Sequence, residues 1–209
     1  MSRSSGGRTY AGQAIEDRQK ERRSRFLESG LTVFARDGYA NSSVGTICRE
    51  AGLSSRQFYE EFNGREALLI ELVDVINTEA REAVLAAATA NAEGGIRRVV
   101  EEGLRGYIKS IGTDARRARV ALVEAVGASP RVEEHRALER TRWTDQMAVL
   151  AEAAATAGEI PGGDFELRII AIIGAVNYAV YEWAIADARP DLDHVTSVLT
   201  RVLIGAALA

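Results

Sequence analysis

The sequence predicts an all-α chain: an N-terminal three-helix unit holding a helix-turn-helix, then a larger C-terminal helical domain, about nine helices in all. Three observations carry this prediction. Apolar residues recur at spacings of three and four along most of the chain, the period of one helix face. Alanine is abundant and there are only three prolines, each of which would cost about 3 kcal/mol inside a helix. Glycines and small capping residues fall between the periodic segments, where helices start and stop. No convincing strand and no internal repeat stands out.

Residues 1–14 are polar, rich in Ser, Gly and Arg, and are expected to be a disordered arm. From about Ile15 to Asp37, Phe26, Leu27, Leu31, Phe34 and Ala35 share one face, and Gly38 ends the helix. Ser42 and Ser43 offer a cap for a helix from Val44 to Ala51, which Gly52 breaks. Ser54-Ser55-Arg56-Gln57 has the form of a capping box and opens a short helix to about Phe62. A long helix is expected from about Glu66 to Ala90, then others from Ile96 to Ile111 and from Asp114 to Val126. Ser129-Pro130 starts a helix that reaches about Ala157, with proline where its missing N–H is harmless. Asp164 caps an apolar helix to about Ala186, and Pro190-Asp191 opens the last, to about Ala207. The expected domains are the arm 1–14, a helix-turn-helix domain 15–66 and a helical domain 67–209.

Composition narrows the function classes. A single cysteine, Cys48, excludes an intrachain disulfide framework and suits a reducing cytoplasm. Together with His135 and His194 it cannot make a Cys/His zinc cluster, and no metal or other cofactor is expected. No N-terminal stretch has the apolar run of a signal peptide. The apolar segment Ile169 to Ile185, interrupted by Asn177 and Glu182, is expected as a buried helix packed on several faces. Net charge is −4, yet residues 1–66 hold 11 Lys/Arg against 9 Asp/Glu, and residues 67–209 hold 15 against 21. Local patches, not whole-chain charge, decide phosphate binding. There is no nucleophile paired with a base and no Gly-rich phosphate loop. Glu101-Glu102 and Glu133-Glu134-His135 have the makings of acid–base chemistry but sit as solvated helix faces do, so no enzyme is expected.

The informative stretch runs from Ser43 to Tyr59. Two short helices joined by a tight glycine turn make a helix-turn-helix. Cys48 is small where the helices cross, and Gly52 can take the positive φ of the turn. Val44, Ile47, Leu53 and Phe58 face inward, which leaves Ser55, Arg56, Gln57 and Tyr59 outward on the second helix, with groups suited to base edges and phosphates. The segments Phe34-Ala35-Arg36-Asp37-Gly38-Tyr39, Ser43-Val44-Gly45-Thr46-Ile47, Ala51-Gly52-Leu53-Ser54, Phe58-Tyr59-Glu60-Glu61-Phe62 and Arg65-Glu66-Ala67-Leu68-Leu69 follow in an order that resembles the tetracycline-repressor (TetR) family, from about Arg18 to Leu69.

That resemblance implies a DNA-binding set of Ser43, Val44, Ser54, Ser55, Arg56, Gln57, Tyr59 and Arg65. Ser43 and Tyr59 stand where phosphates are bound, Arg65 where a lysine usually neutralises the backbone, and Ser55, Arg56 and Gln57 where bases are read. Arg3 and Arg8 of the arm would be placed to touch DNA. One departure is Glu61, where the family often has histidine, with Glu60 beside it. Two carboxylates there would repel DNA unless one accepts from a cytosine amino group or pairs with Arg56 or Arg65.

For residues 67–209 the resemblance implies inducer binding and a homodimer. The apolar helix Phe165 to Trp183 and the last helix, with Val195, Val198, Leu199, Val202 and Leu203 in register, are the expected dimer pair. The ligand-cavity candidates are Tyr107, Ile111, Val123, Trp143, Met147, Leu150, Ile173, Asn177, Tyr178 and Tyr181, a mixed aromatic and apolar set that points to a largely hydrophobic small molecule. The implied protein is a cytoplasmic, homodimeric repressor released by that ligand from a palindromic operator in double-stranded DNA. The alternatives are an activator or ligand-independent regulator, and more remotely a helical enzyme or interaction protein.

Overall fold

The computed structural model describes residues 6–208, with side chains from 16 to 206. Nine α-helices and no strand occur among the described residues. The chain divides into two compact units, Met1–Leu72 and Val73–Ala209, and the division falls inside α4, past the 66/67 boundary expected above.

The first unit comprises α1 (Gly6–Asp37), α2 (Val44–Ala51), α3 (Ser55–Glu61) and the first turns of α4 (Arg65–Ala90). The helix α1 begins at Gly6, well before Ile15, so most of the stretch expected as a disordered arm is helical backbone; residues 1–5, Arg3 among them, lie outside the described residues. An aromatic cluster fills this unit's core. Phe26 meets Phe58 edge-on at 5.2 Å and Phe62 at 6.3 Å, with Phe26 and Phe58 fully buried. Gly30 lets α1 and α4 close together: a Cβ there would stand 2.6 Å from Leu68 Cδ2.

The second unit holds the rest of α4, α5 (Gly95–Tyr107), α6 (Ala115–Arg119), α7 (Pro130–Thr156), α8 (Glu166–Ile185) and α9 (Leu192–Leu208). Local chemistry sets the ends. Ser129 caps α7 by accepting from Val132 N at 3.2 Å, with Pro130 in the first turn. Asp164 accepts from Glu166 N at 2.9 Å and Asp191 from His194 N at 2.6 Å. Two helices differ from expectation. The segment read as Ile96–Ile111 is α-helical only to Tyr107 and continues as a π-helical turn, Ile108–Gly112. The segment read as Asp114–Val126 is the short α6 running into a second π turn, Val120–Glu124, closed by Ala125 N to Val120 O at 3.1 Å. Single π turns of this kind re-aim side chains within a helix, and period counting cannot distinguish them from α.

The helix α8 also departs from expectation. It is long and apolar enough to cross a membrane, but only 22% of its most apolar window is buried within the chain. Ile169, Val176, Val180 and Ala184 pack inward, whereas Leu167, Ile170, Tyr178 and Ile185 are exposed. Within the chain the helix is therefore packed on one face, and its other face lies at the surface.

Candidate functional site

The helix-turn-helix follows from three local devices and one bond from α1. Ser43 caps α2, its Oγ accepting from Thr46 N at 3.1 Å. Gly52 ends α2 at φ 61°, ψ 35°, the left-handed conformation that L residues resist. Arg25 of α1 donates to Ala51 O at 2.5 Å and fixes this turn. Ser54 then caps α3 in a complete capping box: Gln57 N donates to Ser54 Oγ at 3.3 Å, and Ser54 N to Gln57 Oε1 at 2.9 Å. Ile47, Cys48 and Phe58 are buried and set the crossing of α2 on α3, while Val44 and Leu53 are half-buried.

This packing leaves Ser43, Ser54, Ser55, Arg56 and Tyr59 exposed on one unit. The Arg56 side chain is 91% exposed and Tyr59 60% exposed, so neither serves the core, although the Tyr59 ring rests edge-on against Phe58 at 5.6 Å. Gln57 is half-buried, with its carbonyl held by the capping box and only its amide nitrogen left to reach outward. Arg65 stands apart. Its guanidinium lies 4.5 Å over the Tyr39 ring and Nη1 donates to the carbonyls of Tyr39 (2.5 Å) and Ser42 (2.7 Å). Arg65 thus clasps the loop before α2, and burial pushes the Tyr39 phenol above its ordinary pKa.

The two carboxylates part company. Glu61 turns inward, its side chain 1% exposed, and accepts from Arg22 Nε at 2.8 Å and Nη2 at 2.6 Å, with Arg23 Nη1 3.6 Å from its other oxygen. Its partners are on α1; neither Arg56 nor Arg65 is needed. Glu60 stays half-exposed between Arg56 Nε at 3.3 Å and Arg22 Nη1 at 3.7 Å. Only Glu60 therefore presents a carboxylate beside Arg56. Nothing in the local sequence around Glu61 shows that Arg22 and Arg23, 39 and 38 residues away on α1, would meet it.

The second unit encloses a cavity of about 550 Å³. Tyr107, Val123, Trp143, Met147, Leu150, Ile173, Asn177, Tyr178 and Tyr181 all line it. Ile111 does not: the π turn after Tyr107 rotates it into the core, where it is 1% exposed. Tyr178, 69% exposed, stands at the rim. Polar groups meet at one end. Tyr107 Oη donates to Asn177 Oδ1, the Tyr107 and Trp143 rings meet edge-on at 5.5 Å, and Trp143 Nε1 donates to Asn77 Oδ1 at 2.9 Å. Burial pushes the Tyr107 phenol far above its usual range. Arg136, Glu139 and Arg140 also line the cavity and had not been anticipated. Their signal was register, one and two turns before Trp143 on α7.

Asp74, His135 and Glu139 bring three ligand-type atoms within 4.8 Å. Both Glu139 oxygens, however, carry arginines, Arg81 and Arg142, and Arg142 is 3.3 Å from Asp74. That is an ion-pair network between α4 and α7. Glu133 likewise accepts from Gly127 N at 2.7 Å, which holds its carboxyl below the usual range and ties down the loop before α7.

Comparison with known proteins matches this geometry. Residues 26–72 fit the description "Bacterial regulatory proteins, tetR family". The chain is 24% identical over 204 residues, 97% of its length and 91% of the relative's, to the HTH-type transcriptional regulator EthR of Mycolicibacterium smegmatis. In fold it is similar to the fatty acid degradation regulator FadR of Bacillus halodurans, with TM-score 0.80, 18% identity, and 88% and 95% of the two chains covered. It is also similar to FadR of Bacillus subtilis, solved in complex with stearoyl-CoA, with TM-score 0.79, 19% identity, and 88% and 98% covered. Family and relatives are transcriptional regulators, not enzymes. The helix-turn-helix and these likenesses agree: residues 26–72 form a DNA-binding domain of the tetR family of bacterial regulatory proteins, and the chain is similar over nearly its whole length to a transcriptional regulator.

Proposed function

We propose that this protein is a cytoplasmic, homodimeric repressor that leaves a palindromic operator when a largely hydrophobic small molecule fills the cavity of its second unit. The observation that carries the reading is the pairing, in one chain, of an exposed recognition helix with an apolar cavity of about 550 Å³. On DNA, Ser43 and Tyr59 would hold phosphates, while Ser55, Arg56 and the Gln57 amide meet base edges, with Ser54 and Val44 at the margins. Arg65, engaged with the Tyr39–Ser42 loop, would act by fixing the backbone that carries Ser43.

The unpartnered stripe of α8, Leu167, Ile170 and Tyr178 around Ala171 and Gly174, and exposed Val202 on α9 support a second copy as its cover, in a four-helix interface. Small residues at the middle of that stripe permit close approach. For the ligand, the stearoyl-CoA found in FadR of Bacillus subtilis makes acyl-CoA thioesters the first probes. They fit the chemistry of the site: apolar walls, Asn177 and Tyr107 for a carbonyl, and exposed Arg140 for an anionic group.

The test is selection of bound duplexes from a random pool with the full chain, then titration of the selected site with palmitoyl-CoA. A palindromic site and a five- to 150-fold loss of affinity, the usual range of allosteric coupling, are expected. Tight palmitoyl-CoA binding with unchanged operator affinity would refute ligand release.

A further inference from the structure

The cavity is polarised along its length, and the directions of four of its wall helices show which end is which. On α4 the lining runs from Val73 and Asn77 to Ala88, on α7 from Arg136, Glu139 and Arg140 to Ala151, so the polar groups of both fall early and only apolar ones follow as the chain advances. On α5 it runs from Ile96 to Tyr107, and on α8 from Ile169 to Asn177, in the opposite sense. The α4–α5 and α7–α8 connections therefore lie together at the apolar end, about 16 Å along α5 from Tyr107 at 1.5 Å per residue.

The wall at that end is built by one clasp. Glu159, in the loop between α7 and α8, places its carboxylate on the backbone N–H of Ile96 in the first turn of α5. Gly95, at φ 75°, takes the backbone conformation that favours glycine and turns the chain so that the Ile96 N–H meets the carboxylate. The next residue, Ile160, is 8% exposed, and both Ile160 and Ile96 line the cavity. The clasp thus ties the loop that carries Ile160 to the first turn of α5, so Ile160 and Ile96 both belong to the wall at the apolar end.

We infer that Ile160, held by the Glu159–Ile96 clasp, is the tail stop of the cavity: the ligand is a linear amphiphile bound with its aliphatic tail toward this end, and Ile160 sets the longest tail accepted. This rests on the reading of the cavity as a ligand site. A tail that stops short leaves apolar wall uncovered and loses about fourfold in affinity per missing methylene. A tail that is too long must displace Ile160 and open the clasp.

The experiment is calorimetric titration of the full-length protein with straight-chain acyl-CoA thioesters from octanoyl to eicosanoyl. In the parent protein affinity should rise about fourfold per carbon to an optimum, then fall. Ile160→Ala should move the optimum about two carbons longer, and Ile160→Phe should move it shorter. Glu159→Ala, at an exposed position and outside the cavity wall, should keep the optimum but flatten the fall beyond it. Circular dichroism checks that each variant is folded, and either of the last two decides the matter should Ile160→Ala unfold. An optimum unchanged in the folded Ile160 variants, or a fall beyond the optimum as steep in Glu159→Ala as in the parent, overturns the tail stop while the ligand site stands. No binding at any chain length overturns both.

Discussion

Replacing Glu61 and Glu60 one at a time by glutamine separates a carboxylate that holds the fold from one that faces DNA. Glu61 is 1% exposed, receives two short bonds from Arg22 and has a second cation, Arg23, at 3.6 Å. Losing one member of a fully desolvated ion pair costs about 3–5 kcal/mol. Here Arg22 and Arg23 are 26% and 38% exposed, and each keeps a second carboxylate, Glu60 and Glu71. Solvent and those partners offset part of the loss, so Glu61→Gln should destabilise by about 2–3 kcal/mol. At this chain length that lowers Tm by roughly 4–12 °C. Glu60 is 43% exposed, and Glu60→Gln should change stability by no more than about 0.5 kcal/mol.

The effects on DNA should be reversed. Glu60→Gln removes a negative charge beside Arg56 and frees that guanidinium. Affinity for a selected operator should rise, and the salt slope should steepen by up to about 0.9 if Arg56 then neutralises one phosphate. Glu61→Gln should bring no such gain. The measurements are thermal unfolding and fluorescence anisotropy across a salt series. A Glu61→Gln protein as stable as its parent, or one that binds DNA more tightly, would refute the division of roles.

Other perturbations follow from the same geometry. Tyr59→Phe, at a 60% exposed position, should leave Tm unchanged but weaken operator binding about 10- to 100-fold by anisotropy, the worth of one hydrogen bond to a charged group. Arg65→Ala should lower stability by about 1–3 kcal/mol in urea unfolding, because it frees the Tyr39 and Ser42 carbonyls, as well as weakening DNA binding. Burial raises the Tyr107 phenol far above its ordinary value of 10.0, so it stays protonated in the folded chain where the unfolded chain ionises. Stability should therefore be whole below pH 10.0 and fall as pH climbs past it, a fall that unfolding curves should show reduced in Tyr107→Phe.

Helix boundaries were largely legible because caps are local: Ser43, Ser54 and Ser129 each bond within three residues of themselves. The π turns were not, since a five-residue backbone bond leaves the apolar spacing almost unchanged, and Ile111 was misplaced for that reason. The inward turn of Glu61 was hidden by sequence separation: its partner Arg22 lies 39 residues away, and a charge beside Tyr59 reads as surface until α1 is placed against α3. On the cavity wall, aromatic and amide residues drew notice, whereas Arg140 and Ile160 did not. What makes them wall residues is the space between four helices, which no single segment encodes.

The helix α8 shows why composition misled and what the geometry adds. Its sequence is apolar nearly all round, which by itself predicts packing on several faces. The chain satisfies only one. The inner face gives Ile169, Val176 and Asn177 to the cavity, and the outer face carries Leu167, Ile170 and Tyr178 to the surface within the same three turns. A rigid helix cannot move one face and keep the other still. Under the dimer reading, a ligand that pushes Ile169 or draws Asn177 away from Tyr107 must also shift the surface that meets the second copy. Occupancy of the cavity and the geometry of the pair are then coupled through one element, without any contact between ligand and DNA.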